Sequence, residues 1–379
     1  MYALDETTPR LHADRTARRK SSHFFPALGA LTLIALSLYA SQTISGPAET
    51  VRARPAAQKE NDVTPTAKAV AAAKKFLDSL DDKQRAKAVF DFDSTKKAGW
   101  SNLPITNVPR NGVRTGDMTK PQHDAALELL AAVLSKEGYQ KIIDIMNADE
   151  ELATGKGKGK GGKGGGKGGA KTSFGNANYF LAIFGPPSMT QPWFVQFGGH
   201  HLGLNVTIVE KSLVLTPTHT GAQPVSYTRD GKTVRPLGGE NDKAFQLIGA
   251  LDDTQRAQAA IKDKNLVLGP GQDGKKITPQ GIKGSALTAA QQAQLLDLIG
   301  EWVNIIHQDA AAPRMAEIKA NLADTYFGWN GPTTNGSAAY YRIQGPTLVI
   351  EYAPQGGIDH IHTVIRDPSN DYGQKLMKR

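Results

Sequence analysis

Apolar residues recur with helical spacing from about residue 65 onward. Val70, Phe76, Leu77 and Leu80 fall on one side of an alanine-rich segment, a pattern that predicts an amphipathic helix starting at Pro65. Later runs of aromatic and β-branched residues, bounded by Gly-Pro steps, predict short antiparallel strands. The order of polar and apolar positions therefore indicates an α+β chain.

A short phrase, Asp or Thr followed by Gln three residues later, occurs four times with an apolar residue in front. It is typical of a capping box, in which the first side chain caps the start of a helix and the glutamine bonds back to it. The spacing is similar in the two halves, because 38 residues separate the first two copies and 36 the last two. The four copies, each predicted to start a helix, begin at Leu80, Met118, Leu251 and Leu287.

Aromatic segments after the second helix of each pair also correspond. Residues 179–186 resemble residues 326–332, and Trp193–Gly198 resembles Tyr340–Gly345. The number of residues that separates corresponding positions of the two halves is not constant along the chain, largely because the first half carries a Lys/Gly-rich insertion at 155–171. The alternative to a duplication is a chance recurrence of two helices followed by hairpins.

We predict a single internally duplicated α+β domain over 65–379. Each half, 65–215 and 235–379, would run helix, long loop, helix and antiparallel strands. The halves are expected to be related by a pseudo-twofold, with a sheet-centred core.

The first 64 residues are predicted to be an export segment and a tether. Residues 1–23 are polar and end in a basic cluster, residues 24–44 are mostly apolar, and residues 45–64 are rich in Pro, Ala, Ser, Thr and charge. This is the order of a basic n-region, a signal peptide or signal anchor, and a disordered tether. Cleaved signal and uncleaved membrane anchor both remain as interpretations. In either case we expect the domain outside the cytoplasm, periplasmic or secreted.

The net charge of +9 does not predict a surface for nucleic acid. Residues 1–60 contribute +3 and the insertion at 155–171 contributes +6, which together account for the whole excess. Because the remaining domain is neutral, we exclude nucleic acid as the main partner. The insertion is expected to be a surface loop, either a tolerated low-complexity expansion or a contact for anionic polymers and lipid headgroups.

Histidines carry the most specific chemical signal, since the chain has no cysteine for disulfides, thiolate sites or nucleophiles. His200 and His201 adjoin at the start of a predicted strand, and alternation lets only one of them face a site. His360 and His362 would share one face of a later strand, and Glu351 in an otherwise apolar strand needs a partner. Together they would suit zinc, copper or non-haem iron, with a position left for water or substrate. A metal-free polar cleft and purely structural histidines are the alternatives.

Polar residues near these histidines are candidates for orienting a substrate. Arg366 and Asp367 follow His362 closely, where they either line the site and hold a carboxylate or phosphate group or close a turn as a salt bridge. Arg110 lies in a long connection between helices, a kind of segment that often lines a site. The candidate catalytic groups for a small-molecule or anionic substrate are Arg110, Arg366 and Asp367, and the candidate substrate contacts are Trp100, Asn102 and Asn205.

Five motifs together resemble the domain of unknown function 3500 family, found chiefly in bacterial exported proteins. They are WSNLP, the Arg-x-Gly after it, GGHHLGLN, TPTHTGAQP and DHIHTVIRDPSNDYG, and the resemblance covers roughly residues 65–379. The family is functionally uncharacterised, so the resemblance implies no catalytic assignment. The chain departs from it at the Lys/Gly-rich insertion and at His219, where an aromatic residue is expected. His219, like His123 and His307, is predicted to be structural.

Two hypotheses of different classes follow from these patterns. The first is an extracytoplasmic metal-dependent hydrolase or oxidoreductase with a histidine-rich site between two repeats. The second is a non-catalytic small-molecule or cell-surface binding module that uses the same cleft. A surface-anchored structural protein whose histidines only pack is a third possibility.

Overall fold

One mixed sheet of twelve strands forms the centre of the molecule. The computed structural model describes residues 64–155 and 173–377. The predicted export segments, all but the last residue of the tether and nearly all of the Lys/Gly-rich insertion lie outside the described residues. None of the helices in the described part of the chain combines the length and the apolar character needed to cross a membrane.

The described residues contain eight α-helices and fourteen strands, which gives the mixed α+β class that the sequence predicts. The helices are α1 (Pro65–Asp78), α2 (Asp82–Ala88), α3 (Lys120–Val133), α4 (Lys136–Thr154), α5 (Gly238–Ala250), α6 (Asp253–Ala259), α7 (Ala289–Val303) and α8 (Gln308–Ala320). The strands are β1 (Val89–Phe90), β2 (Val113–Arg114), β3 (Phe180–Phe184), β4 (Trp193–Gly198), β5 (Leu202–Val209), β6 (Ser212–Val214), β7 (Thr218–Ala222), β8 (Tyr227–Arg229), β9 (Lys232–Val234), β10 (Ile282–Lys283), β11 (Tyr326–Asn330), β12 (Tyr340–Gly345), β13 (Leu348–Pro354) and β14 (Ile361–Arg366).

Strands from the first half of the domain lie on one side of the sheet centre, and strands from the second half lie on the other. The order is β1-β3-β4-β5-β7-β14-β13-β12-β11-β10, with β2 also paired to β3 and β6 to β5. At the centre β7 pairs antiparallel with β14, where Thr220 lies opposite Thr363. The separate β8-β9 hairpin completes the strands of the described chain. The central pair thus brings residues near 220 beside residues near 362.

Alternation along the strands gives the sheet a helix face and a loop face. On β5, Leu204 and Val206 join the main hydrophobic core, to which α3 contributes Leu129. Asn205, between them, points to the other face, where its side chain accepts a hydrogen bond from Gln196. Connecting loops rather than helices cover that second face. Buried polar groups are therefore concentrated on the loop face, where backbone atoms of the loops can bond them.

All four predicted capping boxes are confirmed. Asp81, Thr119, Asp252 and Thr288 each cap a helix, and the glutamine three residues later bonds back to the cap in each case. The glutamines also pair across helices in the same way in both parts of the chain, Gln84 with Gln122 and Gln255 with Gln291. The repeated phrase therefore determines where each helix starts. Through the paired glutamines it also holds the starts of two helices against each other.

Four of the described helices do not start at the repeated phrase: α1 and α5 precede α2 and α6, while α4 and α8 follow α3 and α7. Helix α4 starts at a Ser135 cap without the returning glutamine of a capping box. Helix α8 has Pro313 inside it and buries only Ala311 and Ile318, so its apolar periodicity is weak. Helix α4 matters for function, because its last turns reach the histidines.

Candidate metal centre

The histidine segments meet at one end of the central strands. His200 and His201 lie in the hairpin between β4 and β5, while His360 and His362 lie at the start of β14. Between them, Gly221 of β7 is opposite His362 in the sheet. A Cβ atom at Gly221 would come within 3.1 Å of the rings of both His201 and His362. Glycine at this position therefore leaves the space in which the two imidazoles approach each other.

Three imidazole nitrogens converge. The Nε2 atoms of His201 and His360 are 3.0 Å apart, and those of His360 and His362 are 2.9 Å apart. The ligand atoms of all three residues lie within 4.8 Å of one another. With metal–nitrogen bonds of 2.0–2.1 Å, a tetrahedral ion holds its nitrogens about 3.3 Å apart. The two short Nε2 pairs therefore need shifts of well under an ångström to match the ligand spacing of one ion, and the third pair of ligand atoms lies within 4.8 Å.

Two separate two-centre hydrogen bonds cannot account for both short contacts at His360 Nε2. In a neutral imidazole each ring nitrogen carries either one hydrogen or one in-plane lone pair. His360 Nε2 can therefore satisfy one of its two short contacts, to His201 or to His362, but not both. A cation at the centre removes the conflict, because all three lone pairs can then point at it.

Asp149 of α4 orients the hairpin histidines. Its Oδ1 accepts a hydrogen bond from His200 Nδ1 at 2.9 Å and lies 3.2 Å from His201 Nδ1, and its Oδ2 accepts one from the Gly175 amide at 3.0 Å. Burial opposes ionisation of Asp149, but the contacts with His200 and His201 outweigh it and hold the Asp149 pKa well below its usual value. Although His201 Nδ1 has no hydrogen-bond partner of normal geometry among the described residues, the nearby carboxylate favours a hydrogen on it, and this tautomer leaves the lone pair on Nε2.

Asn102 takes the corresponding place behind His362. The Asn102 amide nitrogen lies 2.9 Å from His362 Nδ1, where it can donate a hydrogen bond to the ring. The oxygen and nitrogen of an amide exchange places by a flip, and with the oxygen toward the ring Asn102 accepts from Nδ1–H. His362 Nε2 is then free to bind a metal, as at His201.

Burial keeps the imidazoles neutral, which is the form that binds metals. Desolvation lowers the pKa of His201 to about 3 and that of His360 to about 4. Desolvation, reinforced by the neighbouring histidines, also holds the pKa of His362 far below its usual value. His201 and His362 are buried, whereas His360 is half-buried, so the centre opens toward solvent on the His360 side.

His219 of β7 lies beside the centre without joining it. Its ring centroid is 5.2 Å from that of His362, yet it is not among the described residues whose ligand atoms form a metal-sized group. Neither of its ring nitrogens has a hydrogen-bond partner of normal geometry among the described residues, although the Thr363 backbone is close enough to act on its pKa. Burial is the larger effect and holds that pKa well below its usual value.

The structure does not bring Glu351 to the histidines. Its carboxylate accepts hydrogen bonds from the backbone amides of Val267 and Leu268, at 2.9 and 2.7 Å, and from the Tyr340 hydroxyl at 2.6 Å. The partner that a buried carboxylate needs is therefore supplied by a loop and a neighbouring tyrosine. The sequence analysis groups Glu351 with the histidines as a ligand, but the sheet order keeps β13 on the far side of β14 from the hairpin.

The two candidate arginines are engaged with protein groups. Arg110 donates to the carbonyls of Ser101 and Gly199, each at 2.9 Å, so it ties the 100–110 loop to the histidine hairpin. Arg366 donates to the carbonyls of Leu268 and Gly269 and forms ion pairs. In the described chain neither guanidinium forms a hydrogen bond with the three histidines, although Arg110 Nε is buried without a partner.

The remaining candidates also have places in the structure. Asp367 accepts from Ser369 and pairs with Arg314 at 3.3 Å, as a closing turn. Trp100 packs against Gly203 and donates to the Tyr372 hydroxyl. Asn205, fully buried, bonds Gln196 and the Pro217 carbonyl. Of the three predicted substrate contacts, Asn102 is the one that reaches a histidine of the centre.

Asp149 is the residue of the site that the motifs do not identify. Its position along the helix could have identified it, because Asp149 lies with Ile142, Ile145 and Met146 on the buried side of α4. A carboxylate on an apolar helix stripe requires a buried partner, and here His200 and His201 provide it.

Comparison with known proteins agrees with the sequence motifs. No curated protein and no solved structure matches the chain. A family model described as "Protein of unknown function (DUF3500)" matches residues 62–374, most of the chain. The chain therefore belongs to the DUF3500 family.

Proposed function

We propose that His201, His360 and His362 bind one divalent metal ion and that the protein is an extracytoplasmic metal-dependent enzyme. The observation that supports this most is the pair of short contacts at His360 Nε2, only one of which can be a hydrogen bond. The groups behind the rings support it as well, since Asp149 and Asn102 contact the Nδ1 atoms of His201 and His362.

A ligand set of three neutral imidazoles favours hydrolysis. Because none of the three nitrogens carries a negative charge, a divalent ion keeps its full charge and acts as a strong Lewis acid that lowers the pKa of water. The half-buried His360 side leaves an approach for water and substrate. Asp149 and Asn102 hold their rings in place, so the chain supplies a preformed site. Zinc suits this chemistry, whereas copper or iron on the same nitrogens would serve oxidation.

The extracytoplasmic location in this proposal comes from the N-terminal sequence. Residues 1–44 have the basic and apolar order of a signal peptide or anchor. Location can be tested independently of the metal by fractionating cells that express the full chain and asking which compartment contains it.

We also infer that the two halves of the domain are copies of one unit. The inference is supported by the four capping boxes, the matching Gln84–Gln122 and Gln255–Gln291 contacts, and the strand order on either side of the β7-β14 pair. The metal centre would then lie at the junction of the copies, since the hairpin of one and β14 of the other contribute its ligands.

Metal analysis of the purified protein tests the proposed function. We expect about one zinc, copper or iron per chain, and loss of it in a His360→Ala/His362→Ala double variant that retains its circular dichroism and cooperative unfolding. The matched control is His123→Ala, a half-exposed histidine on α3 outside the metal-sized groups.

Two results would contradict the proposal. One is a protein that takes up no zinc, copper or iron after dialysis against each ion. The other is equal uptake by the double variant and by the wild type. Either would leave the cleft as a metal-free binding site at most.

A further inference from the structure

We propose that a cavity beside Asn102 binds the anionic group of the substrate. The cavity has a volume of about 690 Å³ and lies between Asn102 and the loop of residues 262–275. The assignment of this cavity to a substrate rests on the proposed metal centre, but the binding of an anion there can be tested without any metal.

The charge of the lining points to an anion. Lys262, Lys264 and Lys275 line the cavity, and none of them forms an ion pair within the described residues. Lys275 contacts only the Val267 carbonyl, at 3.2 Å. The one carboxylate of the lining, Asp263, is already paired with Arg342 at 2.8 Å. The cavity therefore presents unneutralised positive charge.

The lysines take the role that the sequence pattern assigns to arginines. Arg366 is bonded to two carbonyls and to Asp273 and Asp371, so it has no free donors directed at a ligand. Arg110 is likewise bonded to loop carbonyls. Exposed lysines without acidic partners can instead rearrange around a carboxylate or phosphate at small cost.

Asn102 connects the cavity to the proposed metal centre. Its side chain lines the cavity and contacts His362 Nδ1 at 2.9 Å. Only the imidazole ring of His362 separates this contact from the converging Nε2 atoms. A substrate held by its anionic end at the lysines would thus lie on the Nδ1 side of the His362 ring and reach the metal from the open His360 side, so that binding energy remote from the reacting group positions it.

The size of the cavity suits a small molecule. Drug-sized ligands occupy pockets of about 300–1,000 Å³, and the cavity falls within this range. The substrate class is therefore a small organic anion that carries a carboxylate or phosphate group, with its reactive bond several atoms away.

Titration with inorganic phosphate tests the inference. The thermal midpoint of the full chain is measured against phosphate at constant ionic strength, up to about 50 mM, because binding to the folded state raises the midpoint. We expect a saturable rise in the wild type and at least about fivefold weaker apparent binding in Lys262→Ala/Lys264→Ala. The control is Lys68→Ala/Lys74→Ala, which removes the same charge from exposed positions of α1 and should bind phosphate as the wild type does.

The titration is repeated after treatment with a chelator, which separates the two proposals. Lysine-dependent phosphate binding that persists in a protein shown to bind no metal would overturn the metal centre and support this anion site. Metal binding together with a phosphate response that is absent, or equal in all three proteins, would overturn the anion site and leave the metal centre.

Discussion

Two buried polar clusters lie on the loop face of the sheet, and they differ in how their groups are bonded. Around Arg366 and Glu351, the charged groups face loop carbonyls, loop amides, Tyr340 or an opposite charge. Around His201, His360 and His362, three nitrogens face one another and a fourth histidine, His219, has no partner of normal geometry in the described chain.

The contrast separates a cluster that the protein itself bonds from the cluster that we propose binds a metal. A buried network whose members are bonded by the protein stabilises the loops that supply the bonds. In the proposed metal centre, by contrast, the converging lone pairs would be satisfied by an ion from outside the chain. Burial and charge are common to both, so neither property alone identifies a functional site.

The largest expected effect tests the structural cluster. Arg366→Ala leaves Asp371 and the loop carbonyls without their buried partner, so we expect a loss of about 3–5 kcal/mol in the free energy of unfolding. Urea denaturation measures this loss. The metal content of the fraction that remains folded should not change, and a variant of normal stability that lacks metal would reverse the roles assigned to the clusters.

Removal of the group behind His362 has a smaller, site-specific effect. Asn102→Ala should weaken metal affinity about 10- to 100-fold, or about 1.4–2.7 kcal/mol, because the ring loses the bond that orients it. Competition with a metal-binding dye measures the affinity. Asn265→Ala is the matched control, since Asn265 lines the same cavity and forms no hydrogen bond with a histidine in the described chain; equal losses in both variants would contradict the role of Asn102.

Acid should destabilise the metal-free protein through His201. Its folded pKa of about 3 lies below the unfolded value of 6.5. Below pH 6.5 the unfolded chain therefore takes up a proton that the folded chain does not. The free energy of unfolding should fall by about 1.4 kcal/mol per pH unit from this residue as the pH drops from 6.5 toward 3.

Comparison with a His201→Gln variant isolates that contribution, since other groups titrate in both proteins. Urea denaturation in chelator at a series of pH values should give a shallower dependence in the variant. Parallel curves would mean that His201 is protonated in the folded state as easily as in the unfolded chain.

The smallest expected effect is at His219. Because its ring nitrogens lack partners of normal geometry, His219→Phe removes little hydrogen bonding and should change stability by about 1 kcal/mol or less. Metal affinity should stay within about twofold of the wild type, since a residue outside the ligand set adds little to it. Loss of the metal in this variant would place His219 in the centre.

Local patterns predicted the parts of the fold that depend on neighbouring residues. The capping boxes at Asp81, Thr119, Asp252 and Thr288 are confirmed because a cap and its glutamine interact over three residues. The α+β class follows for the same reason, from helical and alternating periodicities. The hydrophobic pattern gives no comparable signal for α8, whose proline and few buried residues weaken its period.

By itself, the sequence determined which residue types were available: paired histidines, a chain without cysteine, and strands with one apolar face. Tertiary structure alone decided their partners, because the pairing of β7 with β14 and the position of α4 bring Asp149 to the hairpin and His360 to His201. The same packing places loop amides where they donate hydrogen bonds to Glu351, and it places carbonyls where Arg110 and Arg366 donate to them. Hydrogen-bond partners of buried groups depend on contacts far apart along the chain, which residue spacing does not encode.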